Sequence, residues 1–559
     1  MTSLFDLGNS GALFDAYPMR PSRACARTSR VKVAKRVRHF KNTRAMQTEI
    51  ELKMRVPLDS VNRLQRNRLI RSLSISPAVT QKLYTVYYDT ENHDLRHSEI
   101  ALRLRREGNR WVQTIKGRGG ATAGLHQRYE WEVPVMNARP NFTKISDPDL
   151  ISLLNGVILP EKLQPVFTSE FNRTKRMLQL TDGEVEFCLD RGRIAAGEAS
   201  LSFAEIELEL KSGSVLSLFQ LALDLLAIVP LRVENRSKAE RGYALAAGFE
   251  YPPVKAAPVH LQAEMSLSAA FNAITSSCLN HLLSNEYGML NGRDIEYLHQ
   301  MRVAVRRQRS ALGIFSTVFP KASPGLAREL RWLIREIGPA RDWDVFVTET
   351  LHLISAVFPE HAGISTLHAQ SEQLRLHHAN LARDAVQSKR YTTIVLKLGA
   401  WISSETGIHA VSSSAQQGST IDVRETSLQA FVTKLLRRRQ DKLMKYGKKL
   451  KSLSSSELHR LRISVKKQRY VIEFFAGLYP SDRQQEYTRW LTKLQDVLGK
   501  MNDLAAMERL LGELPNFENH SIAHEARGIL LGWTACLAQE KKRELYRAWK
   551  AFIKTDPFW

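Results

Sequence analysis

Acidic and basic side chains alternate with apolar ones in several short stretches of the N-terminal half of this 559-residue sequence. Read as a β-strand, the first stretch places three charged side chains on one face: Glu49, Glu51 and Lys53. A later stretch, 205–211, does the same with Glu205, Glu207 and Glu209. A charged strand face usually points at water. The repetition of such faces favours another interpretation, in which they face one another.

Other predicted strands supply positive charges on one face: Arg103, Arg105, Lys116, Arg128, Arg173 and Lys175. If the apolar faces pack against covering elements, the charged faces must meet inside a closed antiparallel barrel. Carboxylates buried there without partners would cost several kcal/mol each. Divalent metal ions and a bound polyanion would balance the charge. The alternation therefore predicts a site for a polyphosphate chain.

Taken in order, these stretches resemble the CYTH family, the triphosphate tunnel metalloenzymes. The resemblance covers residues 46–247. Within this range, it also rests on four further motifs, at 87–90, 95–96, 114–117 and 237–243. Residues 124–128 look especially like the bacterial inorganic triphosphatases of that family. The resemblance implies an N-terminal antiparallel β-barrel with helices, whose interior is a triphosphate tunnel.

The CYTH resemblance also implies roles for the charged residues. Carboxylates suit Mg²⁺ or Mn²⁺. One or two such ions would be held by Glu49, Glu51, Glu207 and Glu209. Glu205 would be either a further metal ligand or a salt-bridge partner. Triphosphate would be bound by Lys53, Arg103, Arg105, Lys116, Arg128, Arg173, Lys175 and Lys238. Glu49, Glu51 and Lys53 are predicted to act in catalysis. Glu130 or Glu132 would position the attacking water, and Asp190 is either a metal contact or a turn residue.

Substrates within the family include inorganic triphosphate, thiamine triphosphate, RNA 5′-triphosphates and ATP. No base-reading pocket is identifiable, and Trp111 and Trp131 alternate with charged residues, which places them on the outer face. Inorganic triphosphate, hydrolysed to diphosphate and phosphate, is therefore the predicted substrate. The alternatives are a triphosphatase acting on thiamine or nucleoside triphosphates, or a polyphosphate-binding protein with weak or no hydrolase activity.

Turn residues and apolar spacing predict how the barrel region is built. Strands occupy most of 46–248, with a hairpin at Asp182-Gly183 and helix-like spacing at 58–73 and 215–228. Three prolines mark a linker at 249–261. Beyond it, 262–555 consists of long amphipathic helical patterns, which predict an all-α pair of helical bundles. The fold class is therefore α+β with several domains.

The helical half contains an internal repeat, because 298–309 returns as 458–469. Steps of three, four and three residues place a basic stripe on one helix face in each copy. The two stripes are His299, Arg302, Arg306 and Arg309, and His459, Arg462, Lys466 and Arg469. Two bundles, 262–411 and 421–555, would bring the stripes together as a basic trough for phosphate groups. The alternative is a solvated basic face.

This repeat resembles the CHAD domain, a helical domain with a conserved histidine, and the resemblance implies binding of inorganic polyphosphate. A second echo pairs 337–342 with 498–503. There, Gly338-Pro339 suggests that a helix ends and restarts, with Asp342 as the N-cap of the new helix.

The net charge of +24 and the pI near 9.9 require anionic partners. Nucleic acid should bind only non-specifically, because the basic stripes lack interleaved aromatic residues. Four scattered cysteines and the absence of an apolar run of about 20 residues predict a cytoplasmic protein without membrane association. Residues 1–45 are basic and expected to be disordered. Polyphosphate granules are a further expected location.

Overall fold

The computed structural model describes residues 48–157, 162–248, 251–319, 323–404, 427–514 and 521–559. The basic extension at 1–45 and the junction predicted at 412–420 lie outside these ranges. In the described part, the strands are β1 (Thr48–Arg55), β2 (Val79–Asp89), β3 (Ala101–Glu107), β4 (Arg110–Thr122), β5 (Leu125–Val135), β6 (Gln164–Leu180), β7 (Gly183–Ala196), β8 (Ala199–Leu210) and β9 (Arg232–Val233).

The strands β1 to β8 form a closed antiparallel barrel, as predicted. Their spatial order is β5-β4-β3-β2-β6-β7-β8-β1, and pairing of β1 with β5 closes the ring. The short strand β9 adds to β1. On β1, Leu52 and Met54 point outward and are fully buried beneath other elements. Because strand side chains alternate, the charged residues of β1 face the interior.

Strand register fixes which charged residues are neighbours inside the barrel. Lys53 on β1 lies opposite Glu207 on β8, and Glu51 lies opposite Glu209. On the other side of β1, Glu49 lies opposite Arg128 of β5. The barrel wall therefore places a carboxylate beside a cation at two of these positions and two carboxylates side by side at the third.

Helices cover the barrel's outside and one of its ends. Those described between 48 and 248 are α1 (Val61–Gln65), α2 (Arg68–Leu73), α3 (Asp94–His97), α4 (Pro148–Asn155), α5 (Val215–Ile228) and α6 (Lys238–Ala247). The pattern at 58–73 forms two short helices, because the Asn67 side chain accepts the N–H groups of Leu69 and Ile70 and starts a new helix. α5 spans the predicted 215–228, and a capping box of Ser237 and Glu240 starts α6.

The C-terminal part described by the structure is helical, as predicted. Its helices are α7 (Leu267–Asn291), α8 (Glu296–Ile314), α9 (Ser323–Val345), α10 (His352–Val357), α11 (Ala362–Gln387), α12 (Lys389–Ser403), α13 (Leu428–Gly447), α14 (Ser455–Phe475), α15 (Ser481–Glu513) and α16 (Ser521–Phe552). A π-helical turn, Phe346–Leu351, joins α9 to α10. The basic stripes lie on α8 and α14.

The predicted restart of a helix at Asp342 is wrong. α9 continues through Gly338 and Pro339 to Val345, so Asp342 lies inside the helix. Buried apolar residues continue along it on both sides of the proline, at Leu333, Ile337 and Ala340. Packing of this face keeps the helix together despite the missing proline N–H.

One hydrophobic core runs from the outer face of the barrel into the helical region. α5 of the barrel packs against α12, where Gly399 lies close to Ala123 and Phe219. The Thr392 hydroxyl donates to the Leu231 carbonyl at 2.8 Å. None of the helices in the described residues is both long and apolar enough to cross a membrane.

Candidate active site inside the barrel

The barrel interior holds a cavity of about 310 Å³ with charged walls. Among the described residues that line it, nine are cationic and eight are carboxylates. The cations are Lys53, Arg103, Arg105, Lys116, Arg128, Arg173, Lys175, Lys211 and Lys238, and the carboxylates are Glu49, Glu51, Glu107, Glu130, Glu132, Glu186, Glu207 and Glu209. All eight cations predicted to bind triphosphate are present. Of the predicted carboxylates, Glu205 is absent from the lining.

One group of ion pairs joins β1, β3, β4 and β5. Lys116 Nζ lies 2.6 Å from Glu49 Oε2 and 3.1 Å from Glu130 Oε2. Arg103 donates to Glu130 at 3.2 Å and lies 3.6 Å from Glu132. Glu130 therefore sits between two cations, where it could orient a water molecule only by sharing its oxygens with them.

A second group crosses β1, β6, β7 and β8. Lys53 Nζ lies 2.9 Å from Glu51 and 3.0 Å from Glu207. Arg173 donates two bonds of 2.7 Å to Asp190 and also contacts Glu207. Although burial raises the pKa of Glu207, the cations around it outweigh burial and hold the pKa well below its ordinary value. Glu207 is therefore ionised at neutral pH.

The innermost group is centred on Lys238, the first residue of α6. Its Nζ donates to Asp190 at 2.8 Å, to Glu207 at 2.9 Å, and to Glu205. Burial lowers the pKa of Lys238, but these carboxylates outweigh burial and raise it overall. Glu205 also accepts from Arg241, one turn along α6. Glu205 is thus in salt bridges, the second of its two predicted alternatives.

Asp190 is not a turn residue. It lies within β7, opposite Glu205 of β8, and it is fully buried. Its oxygens, with those of Glu205 and Glu207, come within 4.8 Å of one another, a spacing that could hold a metal ion. The ammonium of Lys238 already bonds to all three carboxylates, however. A metal ion would have to displace this cation, so this group fits a lysine better than a metal.

Three carboxylates that line the cavity are the alternative ligands for a divalent cation, and each of them is also paired with a lysine. Glu49, Glu51 and Glu209 line the cavity and offer only oxygen ligands, which suit Mg²⁺ or Mn²⁺. Burial, together with the negative charges of Glu49 and Glu186, raises the pKa of Glu209 although Lys211 lowers it. Repulsion among neighbouring carboxylates is the condition that a bound divalent cation would relieve.

The sequence interpretation missed several lining residues. Glu186 shares the inner face of β7 with Asp190, so the same period-two rule identifies it. Lys211 lies at the end of the 205–211 pattern and pairs with Glu209 at 2.5 Å. Tyr87 was part of a recognised motif, and its phenol faces Arg103 and Arg105. Burial raises the pKa of Tyr87, but these cations outweigh burial and lower it.

Aromatic residues give the cavity little with which to read an organic group. Trp111 and Trp131 pack in a cluster outside the barrel wall, as their alternation predicted. The ring of Phe171 lies beneath three cations of the interior. Its centroid is 5.0 to 5.8 Å from the charged groups of Arg105, Arg173 and Lys238. Tyr87 stacks on Phe167 with ring centroids 4.4 Å apart, so one of its ring faces is already used.

In the helical region, α8 and α14 contact each other and bring the two basic stripes together. Burial and the charges of Arg462 and Arg306 lower the pKa of Lys466 to about 7, although Asp503 opposes them. Arg306 belongs to the first stripe and Lys466 to the second. The cations of the two stripes therefore repel one another, and an anion bound between them would reduce this repulsion.

Members of the stripes differ in exposure. Arg302 is buried, donates to the Gly338 carbonyl, and lies 3.2 Å from Asp342, whereas Arg309 is exposed. Burial and nearby arginines lower the pKa of His299 to about 4, so it is neutral at pH 7. His299 therefore offers a neutral hydrogen-bonding nitrogen beside the arginines. His459 Nδ1 bonds to Asn502 at 3.0 Å.

A cavity of about 560 Å³ lies beside Lys466 and adds further lysines to the basic surface. Lys493, Lys500 and Lys541 line it, together with acidic residues that include Asp503. Lys500 lies in the second echo at 498–503, whereas Lys493 and Lys541 lie outside both repeated segments, so the repeat could not reveal them.

Two family models match the chain, the CYTH domain over residues 47–243 and the CHAD domain over 273–512. An inorganic triphosphatase of Haemophilus influenzae is 35% identical over 164 residues, 29% of this chain and 46% of that protein. The chain thus spans about half of that relative's length. An uncharacterized protein of Mycobacterium tuberculosis is 26% identical over 62% of this chain and 68% of its own. The crystal structure of a CHAD domain from the plant Ricinus communis is 33% identical over 54% of this chain and 98% of that chain, with a TM-score of 0.47.

Proposed function

Because the chain carries a CYTH domain followed by a CHAD domain, we propose that its barrel hydrolyses inorganic triphosphate to diphosphate and phosphate with Mg²⁺ or Mn²⁺. The domains would span 46–248 and 262–555. The observation that carries the proposal is the cavity inside the closed barrel, whose described lining residues include nine cations and eight carboxylates around a space of about 310 Å³. Similarity to an inorganic triphosphatase supports triphosphatase activity.

The chain's own residues would bind and orient the substrate. Arg103, Arg105 and Arg173 can each donate several bonds to phosphoryl oxygens and neutralise their charge. Glu49, Glu51 and Glu209, with Glu207 beside them, would hold the metal. A divalent ion bound there would neutralise charge on the phosphoryl oxygens and the leaving group.

The attacking water needs a hydrogen-bond acceptor within the cavity. Glu130 and Glu132 line the cavity from β5, the strand that pairs with β1. Glu132 is half exposed and accepts the Thr114 hydroxyl at 2.8 Å, which leaves its second oxygen available. We therefore favour Glu132 over Glu130, whose oxygens are shared by Arg103 and Lys116.

In the helical half, the joined stripes of α8 and α14 would bind inorganic polyphosphate. The unfavourable crowding of Arg306, Arg462 and Lys466 supports this, because an anion between them replaces repulsion with charge-assisted bonds. Nucleic acid would compete only as another polyanion, so binding has to be compared at matched salt. Association with polyphosphate granules follows from the same surface.

The test is phosphate release from inorganic triphosphate, ATP and thiamine triphosphate, each with Mg²⁺, Mn²⁺ or EDTA. We expect metal-dependent release that favours inorganic triphosphate and falls by about 100-fold or more in Glu51→Gln. Glu170→Gln is the matched control, because Glu170 lies outside the cavity and pairs with Lys82 at 2.7 Å. A preference for ATP or thiamine triphosphate would change the substrate. No release from any substrate would leave a polyphosphate-binding protein.

A further inference from the structure

The segment 231–236, which contains β9, contacts both strand β1 and the helical region. The N–H of Glu234 donates to the carbonyl of Lys53 at 3.0 Å. The N–H of Lys53 donates to the carbonyl of Gly124 at 2.9 Å, and Gly124 in turn donates to Asn235 Oδ1 at 2.7 Å. The carbonyl of Lys53 is therefore bonded by the segment itself. Its N–H is bonded by Gly124, which the segment holds through Asn235.

Helices α7 and α12 hold the segment from the other side. Glu286 of α7 is buried, and its Oε1 accepts from Arg232 at 2.7 Å. Its other oxygen accepts from the Tyr391 hydroxyl of α12 at 2.9 Å. The next residue, Thr392, donates to the carbonyl of Leu231 at 2.8 Å. One carboxylate of the helical region thus organises the side chains around β9.

Arg55 connects the same carboxylate directly to β1. Its Nε lies 3.1 Å from Glu234 Oε2 and its Nη2 lies 3.8 Å from Glu286 Oε1. Burial raises the pKa of Glu234, but Arg55 and its neighbouring arginines outweigh burial and lower it to about 2. Arg55 thus lies between the carboxylates of Glu234 and Glu286, two residues from Lys53 on the same strand.

We propose that Glu286 is a positioning residue, through which the helical region sets the placement of β1 and thus of Glu51 and Lys53. The inference rests on the proposed function, because it concerns the geometry of that site. Glu286 contacts no residue that we assign to substrate. It acts through Arg55, and through Arg232 and the β9 segment, on the strand that carries three of the predicted catalytic groups.

The alternative is an interface carboxylate that contributes only to stability. The two roles differ in what Glu286→Gln should change, since this variant keeps the side-chain size and removes the charge. A positioning role predicts local loosening of β1 and a lower kcat. Because Lys53 is also proposed to bind triphosphate, KM should rise as well. A stability role predicts a lower unfolding midpoint. At temperatures below that midpoint, the variant should have the same kcat as the wild type.

The experiment combines steady-state kinetics on inorganic triphosphate with hydrogen exchange of the full-length protein. For Glu286→Gln we expect kcat to fall roughly tenfold, since small displacements of catalytic groups reduce rates by factors of this order. Peptides covering 48–56 should exchange faster, while those of α14 stay unchanged. Glu329→Gln is the control, because Glu329 pairs with Arg390 at 2.6 Å within the helical region.

Adding Arg55→Met to Glu286→Gln should cost little more than either change alone, because both act through one connection. Native kcat, or a reduced kcat without faster exchange in 48–56, would overturn the proposal. If the wild type releases no phosphate, the proposed function fails, while the exchange of 48–56 still decides whether Glu286 fixes β1. If Glu286→Gln does not fold, Tyr391→Phe tests the same connection by removing one donor to Glu286.

Discussion

Replacing Lys238 by methionine should destabilise the protein far more than removing an exposed charge would. Its ammonium bonds to Asp190 and Glu207 at 2.8 and 2.9 Å and also to Glu205, and only 6% of the side chain is exposed. Methionine has a similar length and retains contact with the apolar wall. The substitution therefore removes mainly the charge.

The expected magnitude follows from the burial of the three carboxylates, which are between 0 and 7% exposed. Breaking a buried ion pair by removing one partner costs about 3–5 kcal/mol. Arg173, Arg241 and Lys53 remain as partners, so some compensation persists. We expect the free energy of unfolding at pH 7 to fall by about 3–5 kcal/mol, a large part of the usual stability of about 5–15 kcal/mol.

The loss should depend on pH in a defined direction. Burial raises the pKa of Glu207, but Lys238, Lys53 and Arg173 outweigh burial and depress it. A depressed carboxyl pKa contributes stability above the unfolded value of about 4.3, and this stability disappears as pH falls through the folded value. Lys238→Met loses part of that depression. Its deficit should be full at pH 7 and shrink below about pH 4.

Urea unfolding of both proteins at pH 7 and at about pH 3 measures this deficit. Lys82→Met is the control, because the side chain of Lys82 is 71% exposed and pairs with Glu170 at 2.7 Å near the surface. An exposed pair contributes about 0–1 kcal/mol. Equal losses in the two variants would refute the reasoning, as would a deficit for Lys238→Met that is the same at both pH values.

Two further predictions concern the helical region. Burial and the charge of Arg462 lower the pKa of Lys466 to about 7. Polyphosphate binding at pH 8 should therefore be accompanied by uptake of a proton, and it should weaken as pH rises above 7. Calorimetry in buffers of different ionisation enthalpy measures this uptake. Gly399→Ala should lower the unfolding free energy by about 1–3 kcal/mol, because overpacking outweighs the helix preference of alanine. A Cβ there would lie 2.5 Å from Ala123 and 2.6 Å from Phe219, and urea unfolding measures the loss.

Each of these predictions has a matched variant. Lys466→Met should bind polyphosphate without the additional proton uptake, and equal uptake in both proteins would contradict the assignment. Gly528→Ala places a methyl group on α16 where nothing lies within 4 Å. It should be neutral or stabilising by up to about 1 kcal/mol, and a loss equal to that of Gly399→Ala would show that overpacking is not the cause.

Alternation along single strands was enough to predict which face each charged side chain takes. Glu49 and Lys53 face the interior because period two leaves their apolar neighbours for the outer core. The same rule predicted the outward position of Trp131. Closure of the barrel followed from the need to bring charged faces together, and the structure confirms it.

Depth inside the barrel could not be predicted in this way. Whether Glu205 meets a metal, a substrate or a lysine depends on the register of β7 against β8 and on where α6 enters. Lys238 looked like a substrate ligand from its motif, yet it is 6% exposed and bonds to three carboxylates. A strand pattern specifies the face of a residue, whereas its partners come from elements distant in the sequence.

The helix through Pro339 shows the opposite limitation. Gly-Pro is a local signal that favours a helix boundary, but local signals compete with packing. The Gly338 carbonyl accepts a bond from Arg302, and Asp342 accepts another from the same guanidinium. Tertiary bonds of this kind stabilise the continuous helix, and no signal within 337–342 reveals them.

Charge balance in the tunnel gives a physical reason for the proposed metal dependence. Before any ligand binds, Lys116 is paired with Glu49, Lys53 with Glu51, and Arg173 with Glu207. A polyanion can bind these cations only by drawing them away from the carboxylates, which then repel one another in a confined space. A divalent cation held by the released carboxylates offsets that repulsion. Substrate binding without metal is therefore opposed by the same ion pairs that stabilise the barrel.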